Sequence, residues 1–357
     1  MIINYQRPPL RVAILGLGRS FFEDHYPVFK AHPALFKVVA ACDWIKERRD
    51  RIAGDFPHCR MFRQYADMLD EREIDVVDIC SCTTDHVKHA VKSLEKGYWT
   101  LLETPIALTY DDCQFLRGAS MKAKNHLLPY HRDLFSPDFM LARQMVQDPR
   151  LGEVHKILVN REDYVRRDDW QTVKRLGGGA CYYALTDLMI LAMRLIKVPP
   201  FQIWSELKRI SSVGDAEDYV HVIMKTREMI SAEIEFNGGC LKPLWRPSFV
   251  VKGSRGEFSV MPGATEGTLT AVDPNYRFDR RRSSVRTPKL ADMHEEIPIV
   301  TEKITLPPDT LYGQSAFWKA VYDTVRTAAP FPLRLEESIE AVKFSQLMKN
   351  NSAFSMQ

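Results

Sequence analysis

Arg11-Val12-Ala13-Ile14-Leu15-Gly16-Leu17-Gly18-Arg19-Ser20-Phe21 is the stretch on which the reading of this chain turns. A short apolar run passes into two glycines one residue apart, and a helical segment, Phe21 to Ala31, follows. An apolar run without alternation suits a strand buried on both faces. Gly16 allows a tight turn at its end, and Gly18 lets the backbone approach a bound group. A helix starting there would offer free N–H groups, so the segment suits an anion such as a pyrophosphate. Phe21 stands where the dinucleotide-binding fingerprint has its third glycine, and a plain strand-to-helix turn would use the same two glycines.

The pattern repeats outward from that turn. Strands are expected over Lys37–Cys42, near Met61, and over Val76–Cys80, Trp99–Leu102 and His126–Leu128. Between them helices are expected over Ile45–Ala53, Gln64–Leu69, a segment with Val87, Ala90, Val91 and Leu94 on one face, and Tyr110–Lys124 with Thr109 as its N-cap. Such alternation implies a parallel sheet covered on both faces. Asp43 ends the second strand, where a carboxylate can bind the adenine ribose hydroxyls. An acid there disfavours a 2′-phosphate, so NAD is favoured over NADP, although Lys46 and Arg48 nearby keep NADP open. Capping of the next helix is the alternative role for Asp43.

After Tyr130 the pattern changes. Ser136-Pro137 opens a helix, a strand is expected over Val154–Tyr164, and a glycine-led helix over Ala180–Leu195. Strands then dominate: Gln202–Leu207, Tyr219–Lys225, Ile230–Phe236, Phe249–Lys252 and Glu257–Val260. Ile230, Ala232, Ile234 and Phe236 alternate with polar residues, which marks a sheet with one face buried and one free for substrate or a second subunit. Residues 264–308 read as irregular, and two helices, near Leu311–Thr327 and Glu336–Lys349, end the chain. The expected class is α/β: a Rossmann dinucleotide-binding domain over 1–130, and an α/β domain with an open, mainly antiparallel sheet over 131–357.

Bulk properties narrow the function. The chain of 357 residues is 45% hydrophobic and 27% charged, with a net charge of +3. That balance gives no reason to expect a nucleic-acid partner. The densest basic cluster, Arg280-Arg281-Arg282 with Arg286 and Lys289, reads as a solvated loop. Seven cysteines, with Cys80-Ser81-Cys82 lacking a second pair at ligand spacing, argue against a zinc site and for reduced thiols in a cytoplasmic chain. The first residues lack the order of a secretory signal, and the run Val12–Leu17 is far too short to cross a bilayer, so no membrane partner is expected.

Three further segments carry a resemblance. Ser81-Cys82-Thr83-Thr84-Asp85-His86 closes the fourth strand, Glu103-Thr104-Pro105 closes the fifth, and Leu151-Gly152-Glu153-Val154 and Gly177-Gly178-Gly179-Ala180 follow in order. Together with Gly16-Leu17-Gly18-Arg19-Ser20 and Asp43, this set resembles the Gfo/Idh/MocA oxidoreductases, the glucose-fructose oxidoreductase and inositol dehydrogenase family. The resemblance implies NAD or NADP, a sugar or polyol substrate and a homo-oligomer, dimer or tetramer, formed through the open sheet. It also implies that Gly16, Gly18, Arg19, Ser20, Phe21, Asp43, Ser81, Thr83, His86, Glu103, Thr104 and Pro105 line the cofactor, with Thr104-Pro105 a candidate cis peptide.

The departures fall at the chemistry. The family's Glu-Lys-Pro lysine is Thr104 here, and its histidine on the helix after the triple glycine is Asp187. Threonine is a poor base, so Thr104 can only orient or relay. Asp187 is the single formal charge between Arg175 and Arg194; a carboxylate in that apolar run needs a partner or a raised pKa. General acid/base work and a structural pairing are both open for it. Tyr183, one turn earlier, and His131 are the other acid/base candidates, with packing as the plainer role of each. Arg132, in the segment after the sixth strand, is a candidate substrate contact, as are Tyr164, Arg166 and Trp170, which equally suit an ordinary exposed loop over Asp163–Lys174. The expected activity is therefore NAD(P)-dependent oxidoreduction of a sugar, polyol or related carbonyl compound. A nucleotide-binding, non-catalytic homologue and cofactor-assisted elimination or epimerisation stand as alternatives.

Overall fold

The computed structural model describes residues 7–164, 166–242, 245–278 and 296–351. Its first sheet comprises β1 (Leu10–Leu15), β2 (Phe36–Cys42), β3 (Arg60–Phe62), β4 (Val76–Ile79), β5 (Trp99–Leu102) and β6 (Leu127–Pro129). They lie in the order β3-β2-β1-β4-β5-β6, every pair parallel. That is the doubly wound arrangement, whose strand order reverses beside β1, so a crevice opens above the carboxyl ends of β1 and β4. The helices between the strands are α1 (Tyr26–Ala31), α2 (Lys46–Ala53), α3 (Tyr65–Leu69), α4 (Thr83–Glu95) and α5 (Tyr110–Lys122). Thr109 caps α5 as expected, its hydroxyl accepting from the Asp112 N–H at 3.1 Å.

The first helix departs from expectation. Residues Phe21–His25 form a π-helical turn before α1 begins. The wider turn accommodates an extra residue, and it sends Phe21 and His25 into the core, both fully buried.

The second sheet is mixed. After α6 (Pro137–Met145) come β7 (Val154–Glu162), α7 (Ala180–Tyr183) and α8 (Leu185–Ile196). Then follow β8 (Gln202–Lys208), β9 (Tyr219–Lys225), β10 (Ser231–Asn237), β11 (Phe249–Gly253), β12 (Gly256–Val260), β13 (Glu266–Val272) and β14 (Ile299–Thr305). The order is β14-β13-β12-β11-β7-β10-β9-β8, antiparallel throughout except for β7 with β10. Along β10 the side chains alternate between buried and half-buried, with Ala232, Ile234 and Phe236 inward. That inner face packs against α6 and α8. The outer face carries polar ladders such as Lys156–Glu233 (2.8 Å) and His221–Glu233 (3.0 Å).

Two expectations are corrected. Residues 264–308 are not irregular throughout, because β13 and β14 pair along their whole length. Short and threonine-rich, β13 buries Gly267, Leu269 and Ala271 on alternate positions, a signal too slight to mark a strand. The basic residues Arg280–Arg282, Arg286 and Lys289 lie outside the described residues. The helix expected over 180–195 is broken at Ala184 (φ −127°, ψ −50°). Nearby, the Thr186 hydroxyl donates to the Tyr182 carbonyl at 2.6 Å, a local bond that competes with helix continuation.

Two final helices, α9 (Gly313–Thr327) and α10 (Leu335–Asn351), return to the first sheet. Trp318, fully buried, stands 4.6 Å edge-on to Phe29 and 5.4 Å from Phe36. Ile339 and Val342 pack beside Val77 and Leu102, while Ala341 and Met348 join the core beneath the second sheet. One helical stretch among the described residues, Lys174–Ile196, is apolar enough to span a membrane, but 72% of its apolar window is buried in the fold, as in a core helix.

Candidate active site between the two sheets

The glycine turn is built as its residue types demand. Gly16 has φ +94°, and a Cβ there would lie 2.6 Å from the Cys80 carbonyl oxygen at the end of β4, so only glycine fits. A Cβ on Gly18 would meet nothing within 4 Å. The turn is thus tight beneath and open above, which is the shape a pyrophosphate needs. Asp43 is buried and fastened: its Oδ2 accepts from the Leu17 N–H at 2.9 Å and its Oδ1 from the Ile45 N–H at 2.8 Å, with Arg48 at 3.3 Å. The carboxylate therefore braces the turn that leads into α2, whose N-cap is Ile45 rather than Asp43, and ties the glycine turn to the second strand. Arg19 is exposed near Glu23, and the Phe21 side chain is in the core, so only the Phe21 backbone can serve a ligand.

His86 and Ser81 act as fasteners. The fully buried His86 ring spans the Ser81 carbonyl (2.9 Å) and the Pro105 carbonyl (2.8 Å), clipping the loop after β4 to the loop after β5. Burial pushes its pKa down, against the pull of those two carbonyls. The Ser81 hydroxyl meets His89 at 3.0 Å, and Thr83 is buried in the first turn of α4. The Thr104-Pro105 peptide is cis.

Glu103 gathers several groups. It accepts from the Ser20 hydroxyl and, through Oε2, from the Thr104 N–H at 3.1 Å. His25 Nε2 lies 2.9 Å from Glu103 Oε1, and His25 Nδ1 lies 2.8 Å from Asp78 Oδ2.

Across the crevice, the Thr104 hydroxyl donates to Asp187 Oδ1 at 2.9 Å, joining the end of β5 to the first turn of α8. His131, buried at the end of the loop after β6, donates from Nε2 to the Asp187 backbone carbonyl at 3.1 Å. Asp133, two residues on, pairs with Arg161 from β7 and lies 3.4 Å from Arg132, whose guanidinium also pairs with Asp24. The two carboxyls are driven apart. Burial would raise Asp133, but Arg161, Arg132 and His131 bring it down to about 2. Burial lifts Asp187; His131 opposes the lift and Asp133 adds to it. One carboxyl firmly ionised beside one whose proton is held more tightly is an acid/base arrangement. Among the described residues, the metal-ligand types that converge are His25, Cys80 and Glu103, and the His25 nitrogens there already face carboxylates.

Other expected contacts fall elsewhere. Tyr183 is not on one helix with Asp187; its ring packs edge-on against Phe236 at 5.5 Å. Tyr164 is exposed and bridges to Gly239, Arg166 is exposed, and Trp170 is half-buried in a 3₁₀ turn. Among the described residues none of these three shares a hydrogen bond with the Asp187 cluster. Sequence reading missed His25, Asp78, Asp133 and Arg161. The signal for Asp78 was present, a lone acid within Val76-Val77-Asp78-Ile79; nothing local marked Arg161.

Residues 10–131 match a family model described as an oxidoreductase family with an NAD-binding Rossmann fold, and residues 139–259 match the GFO/IDH/MocA C-terminal domain. An uncharacterised oxidoreductase of Schizosaccharomyces pombe is 26% identical over 76% of this chain and 77% of its own. D-glucoside 3-dehydrogenase of Escherichia coli is 27% identical over 65% of this chain and 69% of its own. In fold, an NAD-binding protein from Listeria innocua superposes with a TM-score of 0.80 at 18% identity, covering 98% of this chain and 99% of that one.

Proposed function

We propose that this chain, which belongs to the Gfo/Idh/MocA oxidoreductase family, oxidises a sugar or polyol hydroxyl, or reduces the matching carbonyl, with Asp187 as its acid/base group. The observation that carries this reading is the contact of Asp187 with Thr104, beside the loop after β5 and across the crevice from the glycine turn. When bound, the nicotinamide would supply the hydride acceptor or donor. Gly16, Gly18 and Ser20 would hold the pyrophosphate and Asp43 the adenine ribose. Asp43 favours NAD, with Arg48 at its side leaving room for NADP.

Removing hydride from an alcohol requires a group to take the hydroxyl proton. Asp187 suits that role, because its raised pKa makes it a stronger base than an ordinary carboxylate. The Thr104 hydroxyl orients it, and His131 fixes its backbone. Arg161 keeps Asp133 ionised, so the pair holds one exchangeable proton rather than two. Arg132 bridges Asp133 and Asp24, joining the segment after β6 to the π-helical turn. The division of labour we infer is nucleotide binding by residues 1–130 and substrate binding and oligomerisation by 131–357, with α9 and α10 bracing both. The D-glucoside 3-dehydrogenase relative supports a sugar substrate.

The test is binding of NADH and NADPH to the purified chain, followed by a sugar and polyol panel read at the nicotinamide absorbance. Binding with Asp187-dependent turnover is expected, and absence of any nicotinamide nucleotide binding would end the proposal. Product formation without net NADH would instead point to elimination or epimerisation. Light scattering that showed only monomer would remove the oligomer.

A further inference from the structure

The core beneath the crevice holds a buried cluster that the reaction just described does not use. His25 ends the π-helical turn, and its ring is fully buried. The groups facing it are Asp78 from β4, Cys80 after β4, Glu103 after β5, Tyr130 after β6 and Trp318 from α9. Tyr130 stacks on the ring at 4.5 Å and Trp318 meets it edge-on at 5.7 Å. The Cys80 thiol donates to Asp78 Oδ1 at 3.6 Å.

Each ring nitrogen faces a carboxylate, so a neutral imidazole would turn a lone pair toward an anion. The Nδ1 contact is short, at 2.8 Å, yet off the hydrogen-bond axis, so charge rather than alignment holds it. An imidazolium satisfies both sides, and it leaves the cluster with one net negative charge enclosed by aromatic rings. Buried charges persist only when paired in this way.

The consequence lies at Glu103. Its Oε1 takes the His25 Nε2 contact and the Ser20 hydroxyl, and its Oε2 takes the Thr104 N–H. Ser20 belongs to the glycine turn, and Thr104 carries the hydroxyl that orients Asp187. Without a cation behind it, the buried carboxylate would be unpaired, and both attachments would loosen together.

We propose that His25 is a positioning residue: its imidazolium, held between Asp78 and Glu103, fixes the carboxylate from which the Ser20 hydroxyl and the Thr104 amide take their places. Burial alone would strip the ring of its proton, but the paired Asp78 carboxylate outweighs it and raises the pKa well above the ordinary value. Burial pushes Glu103 up, and the His25 bond and charge bring it below its ordinary value. The effect on the cofactor rests on the nicotinamide reading above; the proton state of the ring does not.

Two measurements on the full chain test it. In ¹⁵N-histidine spectra, one of the ten rings should keep both N–H protons at a pH where an ordinary ring, titrating near about 6.5, has lost one. His25→Gln assigns that signal; should this variant not fold, Glu103→Gln assigns it by shifting it. If none of the rings keeps both protons there, the clamp is refuted. In the second measurement, His25→Gln should weaken NADH by about tenfold while adenosine, which lacks both the pyrophosphate and the nicotinamide, stays within about twofold. Equal losses of both would mean general damage and would overturn the positioning role. A wild-type chain that bound neither ligand would defeat the functional reading, while the ring spectra would still decide the clamp.

Discussion

Asp187→Asn is the substitution that separates the two roles open to this carboxyl. Asparagine is isosteric, and its carbonyl can still accept from the Thr104 hydroxyl, which now lies at 2.9 Å. The proton-accepting capacity is lost while the geometry stays. A general acid/base group contributes on the order of 10²–10⁴-fold, so turnover should fall by that factor, about 3–5 kcal/mol of barrier. NADH affinity should stay within about twofold, because the glycine turn and Asp43 are untouched. Stability gives a second, substrate-free readout. The folded pKa of Asp187 is raised, chiefly by burial. A carboxyl raised in this way stabilises the fold only while protonated, and that contribution fades as pH rises from the unfolded value of about 4 through the folded one. A tenfold difference in proton affinity between the folded and unfolded chain is worth about 1.4 kcal/mol. The asparagine variant has no such loss, so its stability relative to wild type should improve between about pH 4 and neutrality. Denaturant unfolding at both pH values measures this. Turnover within about twofold of wild type, or a variant that loses ground as pH rises, would refute the reasoning.

The glycine turn gives a contrasting pair. Gly16→Ala places a Cβ 2.6 Å from a backbone oxygen at positive φ and should cost upwards of about 1–2 kcal/mol by denaturant unfolding. Gly18→Ala meets no protein atom within 4 Å, so it should leave stability nearly intact and weaken NADH instead. Arg161→Met strips Asp133 of its main cation and should destabilise by about 1–3 kcal/mol at neutral pH. Because the lowered Asp133 stabilises above about pH 4 and ceases to do so as pH falls toward about 2, the penalty should shrink in acid, and the added Asp133→Asn should restore much of it. Trp318→Ala should cost about 3–5 kcal/mol in thermal or denaturant unfolding. For the same reason, residues 7–131 expressed without α9 and α10 should not fold cooperatively.

Much of this architecture was legible because it rests on local pattern. The apolar run before Gly16, the Thr109 cap and the alternation along β10 each appear where spacing placed them. What sequence could not convey came from contacts between distant residues. The π-helical turn follows from no local propensity; it places His25 against Asp78 and Glu103, 53 and 78 positions along the chain. Arg161 reads as one more polar residue of a strand until β7 sets it against Asp133. Tyr183 shows the opposite error: helical spacing put it on the Asp187 face, and the break at Ala184 took it away. The acid/base neighbourhood is assembled from β5, β6, β7 and α8, so only Asp187, Thr104, His131 and Arg132 could be singled out, the first two because they stand at the positions of the family's histidine and lysine.

Resemblance places a lysine at position 104 and a histidine at 187, and the two positions are in contact here. That makes their joint replacement physically coherent. A lysine at 104 beside an aspartate at 187 would form an ion pair, which would depress the carboxyl and make it a poor base near neutrality. Threonine supplies a hydrogen bond without a charge, a weaker pull that leaves burial dominant, and the Asp187 pKa accordingly rises. The site thereby exchanges a cationic lysine and a neutral imidazole for a hydroxyl and a carboxyl, lowering the local charge next to Asp133. Arg161, Arg132 and His131 balance that change by holding Asp133 ionised. A change at 187 alone would leave an inert salt bridge. With threonine at 104 the carboxyl at 187 stays a titratable group facing the crevice, which favours altered acid/base chemistry over its loss.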